Sequence, residues 1–177
     1  MNSTPKPFVV LGASRGDGNT AALVQAVAAQ VPLEVVDLNT LEIGYFDYHH
    51  RNRDDDFLPL IRRLLEHDTV IFASPVYWYS MSAVMKTFVD RLSDLLKIEK
   101  DLGRRLRGKR ALVLATGASP NYPRSYEETF LQTFDYLSMP FGGIGYVYCE
   151  NGFAAARSQE AVDTFVRRLQ EAPETSI

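Results

Sequence analysis

Cysteine is almost absent from this chain: Cys149 is the only one in 177 residues. An internal disulfide is therefore excluded, which suits a reducing compartment. Histidine is nearly as scarce, with three in all, and two of these are the adjacent His49 and His50. Neighbouring side chains point apart, and no cysteine or spaced ligand set accompanies them, so no metal site is expected. Excess charge of either sign is missing too. The net charge is −3, and the largest basic cluster, Arg104 to Arg110, reads as a solvated connection before a strand. Neither nucleic acid nor a membrane is an expected partner. Long apolar runs are also lacking: Phe8 to Leu11 is too short for a signal-peptide core or a membrane span, so a soluble cytoplasmic protein is expected. Repeats and low-complexity linkers are absent, and the length suits one domain, 1–177, with room for a full core.

What the chain does have is a loop built for an anion. Phe8-Val9-Val10-Leu11 reads as a strand buried on both faces, and Leu23, Val24, Val27 and Val31 recur at helical spacing after it. Between them runs Gly12-Ala13-Ser14-Arg15-Gly16-Asp17-Gly18-Asn19-Thr20. Its glycines let backbone N–H groups approach a ligand, Ser14, Asn19 and Thr20 add neutral donors, and Arg15 adds a cation. The helix that follows contributes unpaired N–H groups and the positive end of its dipole. A nucleoside triphosphate loop would need Gly-Lys-Ser/Thr where Asp17 stands, so that motif fails. Gly16-x-Gly18-x-x-Ala21 does match a dinucleotide fingerprint, with Asp37 near the distance of a ribose-binding acid, although the loop is long for it.

Further strands are predicted at 33–38, 70–73, 110–115 and 141–149, alternating with helices. Asp54-Asp55-Asp56 stands at the start of the second helix, where carboxylates cap N–H groups. A third helix carries Met85, Phe88, Val89, Leu92 and Leu96, and Ser125-x-x-Glu128 reads as a capping box opening a fourth. The connection 39–55 exposes Tyr45, Phe46 and Tyr48, aromatics that suit contact with a second chain or the edge of a pocket. This alternation predicts an α/β fold, a doubly wound five-stranded parallel sheet with helices on both faces. Three loops then draw attention: 12–20 after strand one, 74–82 with its Tyr77-Trp78-Tyr79 cluster after strand three, and 116–122 after strand four. In strand order 2-1-3-4-5 these strands are neighbours, and the loops converge at the switch point where such sheets bind ligands. One loop suits a phosphate, and the other two suit a planar polar ring.

On these loops the sequence resembles the flavodoxin-like NAD(P)H-dependent FMN reductase and quinone reductase family, over essentially the whole chain. The most specific stretch is Ser74-Pro75-Val76-Tyr77-Trp78-Tyr79-Ser80-Met81-Ser82 and its continuation to Asp90-Arg91. The resemblance implies that Ser14, Arg15, Gly18, Asn19 and Thr20 bind the FMN phosphate. It implies that Pro75, Val76, Tyr77 and Trp78 line the isoalloxazine, and that Thr116, Gly117 and Ser119 contact its far edge. Many relatives carry proline where Ser82 stands. No catalytic side chain is required, because the chemistry belongs to flavin N5. NADPH or NADH would be co-substrate, a quinone, flavin or similar small molecule the acceptor, in ping-pong order, and a homodimer or higher homo-oligomer the assembly. A flavodoxin-type electron carrier without NAD(P)H turnover, or a Rossmann-type NAD-binding protein using Asp37, would share many of these features.

Overall fold

The computed structural model describes residues 5–171; the expected domain, 1–177, runs beyond them at both ends. Strands β1 (Phe8–Leu11), β2 (Glu34–Asp37), β3 (Thr69–Pro75), β4 (Arg110–Gly117) and β5 (Phe141–Tyr148) form one sheet in the order β2-β1-β3-β4-β5. Every pairing is parallel. The alternation of elements predicts such a parallel sheet, and its order is that of the flavodoxin-like fold implied by the resemblance. Helices α1 (Asn19–Ala28), α2 (Phe57–Leu64), α3 (Ala83–Arg91), α6 (Arg124–Tyr136) and α7 (Ala155–Gln170) cover it, with two short pieces, α4 (Asp94–Lys97) and α5 (Lys100–Arg104), after α3.

The apolar runs explain the layering. Side chains alternate across a strand, so Phe8 and Val10 enter one core while Val9 and Leu11 enter the other. The first core packs Phe72 and Val113 of the central strands against Phe57 of α2, Phe88 of α3 and Phe130 and Phe134 of α6. The Phe72 and Phe134 rings lie 4.8 Å apart. The second core packs Ile71, Leu112 and Leu114 against Leu23 and Val24 of α1 and Phe165 of α7. Both faces of β1, β3 and β4 are thus buried, which leaves the carboxyl ends of these strands as the place where loops meet.

Two local expectations are corrected. Helix α3 ends at Arg91 rather than continuing through Leu96. The chain bends after it, keeping Leu92 and Leu95 buried while Asp94 turns back onto Arg91, with Nε to Oδ2 at 2.7 Å. The Ser125 capping box does not form: α6 starts at Arg124, and the extended Pro123 precedes it without a side-chain cap. Ser125 Oγ instead donates to the carbonyl of Tyr79 at 3.0 Å, and Glu128 accepts from Arg124 Nε at 2.7 Å. Tertiary contact with the β3 loop outweighs the local cap. The aspartate run divides its labour: Asp55 Oδ1 accepts the Phe57 N–H at 3.0 Å as a cap would, while Asp56 Oδ2 accepts the N–H of Glu42 at 2.8 Å.

Candidate active site

At the carboxyl ends of β1, β3 and β4 the three loops enclose a cleft of about 250 Å³. Ser14, Arg15, Gly18, Asn19 and Thr20 line it from the first loop, Pro75, Val76 and Tyr77 from the second, and Thr116 and Gly117 from the third. Trp78 and Ser119, expected in the same site, stand outside the lining. Ala13, Ala118 and Cys149 complete the wall. The cysteine is the one the pattern of loops did not point to; it follows β5 directly, and burial pushes its thiol up from the ordinary value.

Glycine permits the tight approach of the first loop. A side chain at Gly12 would meet Met85 Cβ at 2.8 Å, and one at Gly16 would meet Asp37 Oδ2 at 2.5 Å. The loop is held from below: Gly12 N–H donates to the carbonyl of Ala73 at 2.8 Å, and Asn39 Nδ2 donates to that of Ala13 at 2.7 Å. Asp37 accepts from Asn39 twice, through its backbone N–H at 2.9 Å and its amide at 2.8 Å. The acid that would hold a ribose in a Rossmann protein therefore braces the turn beneath this loop. Asn19 Oδ1 accepts the N–H of Phe153 at 3.0 Å, tying the start of α1 to the segment after β5.

Buried hydroxyls knit the loops together. Thr20 and Thr116 share a hydrogen bond of 2.8 Å between the first and third loops. Ser82 caps α3 by accepting the N–H of Met85 at 3.1 Å, and donates to the carbonyl of Gly12 at 2.5 Å. A proline at this position would offer neither bond. Ser74 Oγ accepts the N–H of Ser82 at 3.0 Å, and Tyr126 donates to the Ser74 carbonyl at 2.8 Å. Burial pushes the Tyr126 phenol far above its ordinary value, so it stays a donor. Ser74, Ser82 and Tyr126 sit deep in the fold, and only contact between distant elements reveals their task.

The aromatic cluster folds as a two-residue hairpin. Tyr77 and Ser80 exchange both backbone hydrogen bonds, at 2.9 and 3.0 Å. Trp78 and Tyr79 lie between them with φ of 46° and 66°. Such turns normally recruit Asn or Gly, because a side chain in the left-handed region costs about 1–2 kcal/mol per residue. Two bulky aromatics held there leave Trp78 92% and Tyr79 68% exposed beside the cleft.

The connection 39–56 is pinned by a residue whose role the sequence did not disclose. Arg91 is buried, and its guanidinium reaches Asp94, both oxygens of Asp55, and the carbonyls of Gly44 and Asn52. It also lies 4.7 Å from the centre of the Phe57 ring. His50 Nδ1 stands 2.7 Å from the other Asp94 oxygen. Tyr45 and Tyr48 remain exposed on this connection.

The donor set fits FMN. Gly18 is the N-cap of α1 with no side-chain cap, and no acidic residue occupies the first turn, so the helix end is open to an anion. Arg15, whose carboxylate neighbour Asp17 is 3.8 Å away, lies at the same mouth. The lining toward Pro75, Val76 and Tyr77 is apolar and aromatic, as a flat ring requires. A sequence profile described as NADPH-dependent FMN reductase matches residues 5–154. The chain belongs to the NADPH-dependent FMN reductase family. It is 30% identical over 148 residues to YwqN of Bacillus subtilis (strain 168), whose name describes an NAD(P)H-dependent FMN-containing oxidoreductase; the match covers 78% of this chain and 82% of that one. Among solved structures, the Trp repressor binding protein from Bacillus subtilis superposes with a TM-score of 0.75 at 25% identity, over 94% of this chain and 99% of that one. An FMN-dependent NADH-azoreductase from Bacillus anthracis, in complex with FMN, shares the fold at a TM-score of 0.65 and 11% identity, over 94% of this chain and 100% of that one. As a member of this reductase family the chain is an NAD(P)H-dependent flavoenzyme with FMN as its cofactor.

Proposed function

We propose that this reductase passes reducing equivalents from NADPH or NADH to a quinone, free flavin or similar small acceptor. Nicotinamide and acceptor occupy one face of the site in turn. The observation that carries the reading is the convergence of three loops on a single cleft, polar and cationic at one end and apolar at the other. When bound, FMN supplies the hydride and electron transfer between the two substrates. The protein's part is to bind and orient. Ser14, Arg15, Gly18, Asn19 and Thr20 hold the phosphate with the open end of α1. Pro75, Val76, Tyr77 and Trp78 flank the ring, and Thr116, Gly117 and Ser119 stand at its far edge. Backbone N–H groups of the third loop, at Ala118 and Ser119, would favour negative charge on the ring's polar end and so stabilise the reduced form. No side chain need exchange a proton with substrate.

Trp78 is the chain's single tryptophan. Its emission is therefore a direct reporter, because FMN stacked beside it would quench that emission. Tyr45 and Tyr48, exposed on the pinned connection, support a homodimer or higher homo-oligomer; sedimentation at micromolar concentration showing only monomer would refute it. Alternating occupancy is tested by steady-state kinetics with NADPH and a quinone varied together. Parallel double-reciprocal lines are expected. Intersecting lines would show that both substrates bind at once.

A further inference from the structure

We infer that Tyr146 is the positioning residue of the 117–119 segment: its phenol, on the neighbouring strand, sets where the backbone of that segment stands against the flavin. The inference rests on the reading that this segment faces the ring's far edge.

Tyr146 lies in β5 opposite Ala115 of β4, with its ring against the core that contains Phe130 and Phe134. From there it reaches up the sheet into the loop after β4 and meets it at three points. Its hydroxyl donates to the carbonyl of Ser119 at 2.5 Å. Its ring packs edge-on against Tyr122, with centres 5.4 Å apart and planes at 66°. Its hydroxyl oxygen also fills the space a side chain at position 117 would need, since a Cβ there would come within 2.6 Å of it. Glycine at 117 is therefore matched to this tyrosine.

Among the described residues, no other hydrogen bond holds the middle of the loop. Gly117 itself is secured from the strand side, because its carbonyl accepts the N–H of Cys149 at 2.8 Å. Among the described residues, the bond from Tyr146 is the one hydrogen bond made by residues 118–121. The N–H groups of Ala118 and Ser119 remain available to a ligand, and a single phenol sets their direction. Burial raises the Tyr146 phenol above its ordinary value, so the hydroxyl stays a donor at neutral pH. Fixing a donor before the ligand arrives removes an ordering cost from binding.

The test compares FMN with riboflavin, which lacks the phosphate, by fluorescence titration of the apoprotein. Tyr146→Phe removes one oxygen and leaves the ring packing in place. It should raise the dissociation constants of FMN and of riboflavin together, by about fivefold to tenfold, the worth of one net hydrogen bond. It should also alter the visible circular dichroism of the bound flavin. A merely structural loss would lower the melting temperature and leave the spectrum of bound flavin unchanged. Gly117→Ala is the second variant. It should weaken both ligands in the natural background and do less harm in a Tyr146→Phe background, where the clashing oxygen is gone. Unchanged constants and unchanged circular dichroism in Tyr146→Phe would overturn the inference, as would additive effects in the double variant. If the natural protein binds neither ligand, the reading of the site falls first, and the inference with it.

Discussion

Replacing Arg91 with methionine should be the most damaging single change at this end of the molecule, and its size follows from what the side chain leaves behind. Arg91 is 1% exposed and Asp94 2% exposed. Burial and two carboxylates act on the guanidinium in opposite directions, and the carboxylates prevail, raising it above its ordinary value. For Asp55 the balance is similar: burial pushes the carboxyl up, but hydrogen bonds from Arg91, Phe57 and Gly44 more than reverse this and hold it below the ordinary aspartate range. Methionine fills most of the volume but leaves both carboxylates without their cation. Removing one partner of a buried ion pair costs about 3–5 kcal/mol. For a domain of this size that lowers the melting temperature by about 6–20 °C. Urea denaturation should show the loss in the midpoint with an unchanged slope. The pH dependence supplies a second check. With Arg91 present, Asp55 contributes stability above the unfolded aspartate value that is lost as pH falls through its lower folded value. With methionine, burial of Asp55 is no longer opposed by the cation and its folded value rises, so protonation relieves the variant. The gap from the natural protein should therefore narrow between about pH 7 and about pH 5. A variant within about 1 kcal/mol of the natural protein, with a constant gap across this range, would refute the reasoning.

Arg15→Ala should weaken FMN by about one to two orders of magnitude, from a charge-assisted bond of ~1.5–3 kcal/mol, while riboflavin binding stays the same; equal loss for both ligands would place Arg15 away from the phosphate. Tyr79→Gly should stabilise the apoprotein by about 1 kcal/mol, because glycine occupies the left-handed region without the cost borne by a side chain. A lower melting temperature in that variant would mean that the freedom glycine adds to the unfolded chain outweighs the backbone strain. Thr116→Val should separate the first and third loops by removing the buried bond to Thr20, costing about 1–3 kcal/mol through the unsatisfied hydroxyl left behind; an unchanged unfolding midpoint would show that bond to be incidental.

Much of the architecture was legible in the sequence because strands buried on both faces leave uninterrupted apolar runs, and Val9-Val10 and Leu112-Val113-Leu114 are such runs. The site followed from topology: once the strand order places β1, β3 and β4 side by side, the loops 12–20, 74–82 and 116–122 converge. What escaped was long-range. Ser125 looks like a helix cap locally, yet its hydroxyl serves Tyr79, 46 positions away. Helical periodicity runs on through Leu92 and Leu96, and only the fold shows that Asp94 turns back to a buried arginine. Arg91 itself closes the most specific stretch of the resemblance without a visible role, because a sequence does not display which carbonyls surround a guanidinium. Trp78 shows a different limit. Its residue type suggests a ring contact, but the exposed place it takes beside the cleft depends on a hairpin between Tyr77 and Ser80 that the sequence does not display.

The most direct test of the central claim is the visible spectrum of the purified protein after FMN is added and unbound flavin removed, followed by anaerobic NADPH or NADH and then a quinone. The account predicts a retained yellow chromophore that bleaches within seconds of nicotinamide addition and recovers its colour when the quinone is supplied. Retained flavin that stays oxidised with both nicotinamides would contradict the reductase activity and leave an electron carrier. Flavin that washes out completely would contradict the site itself.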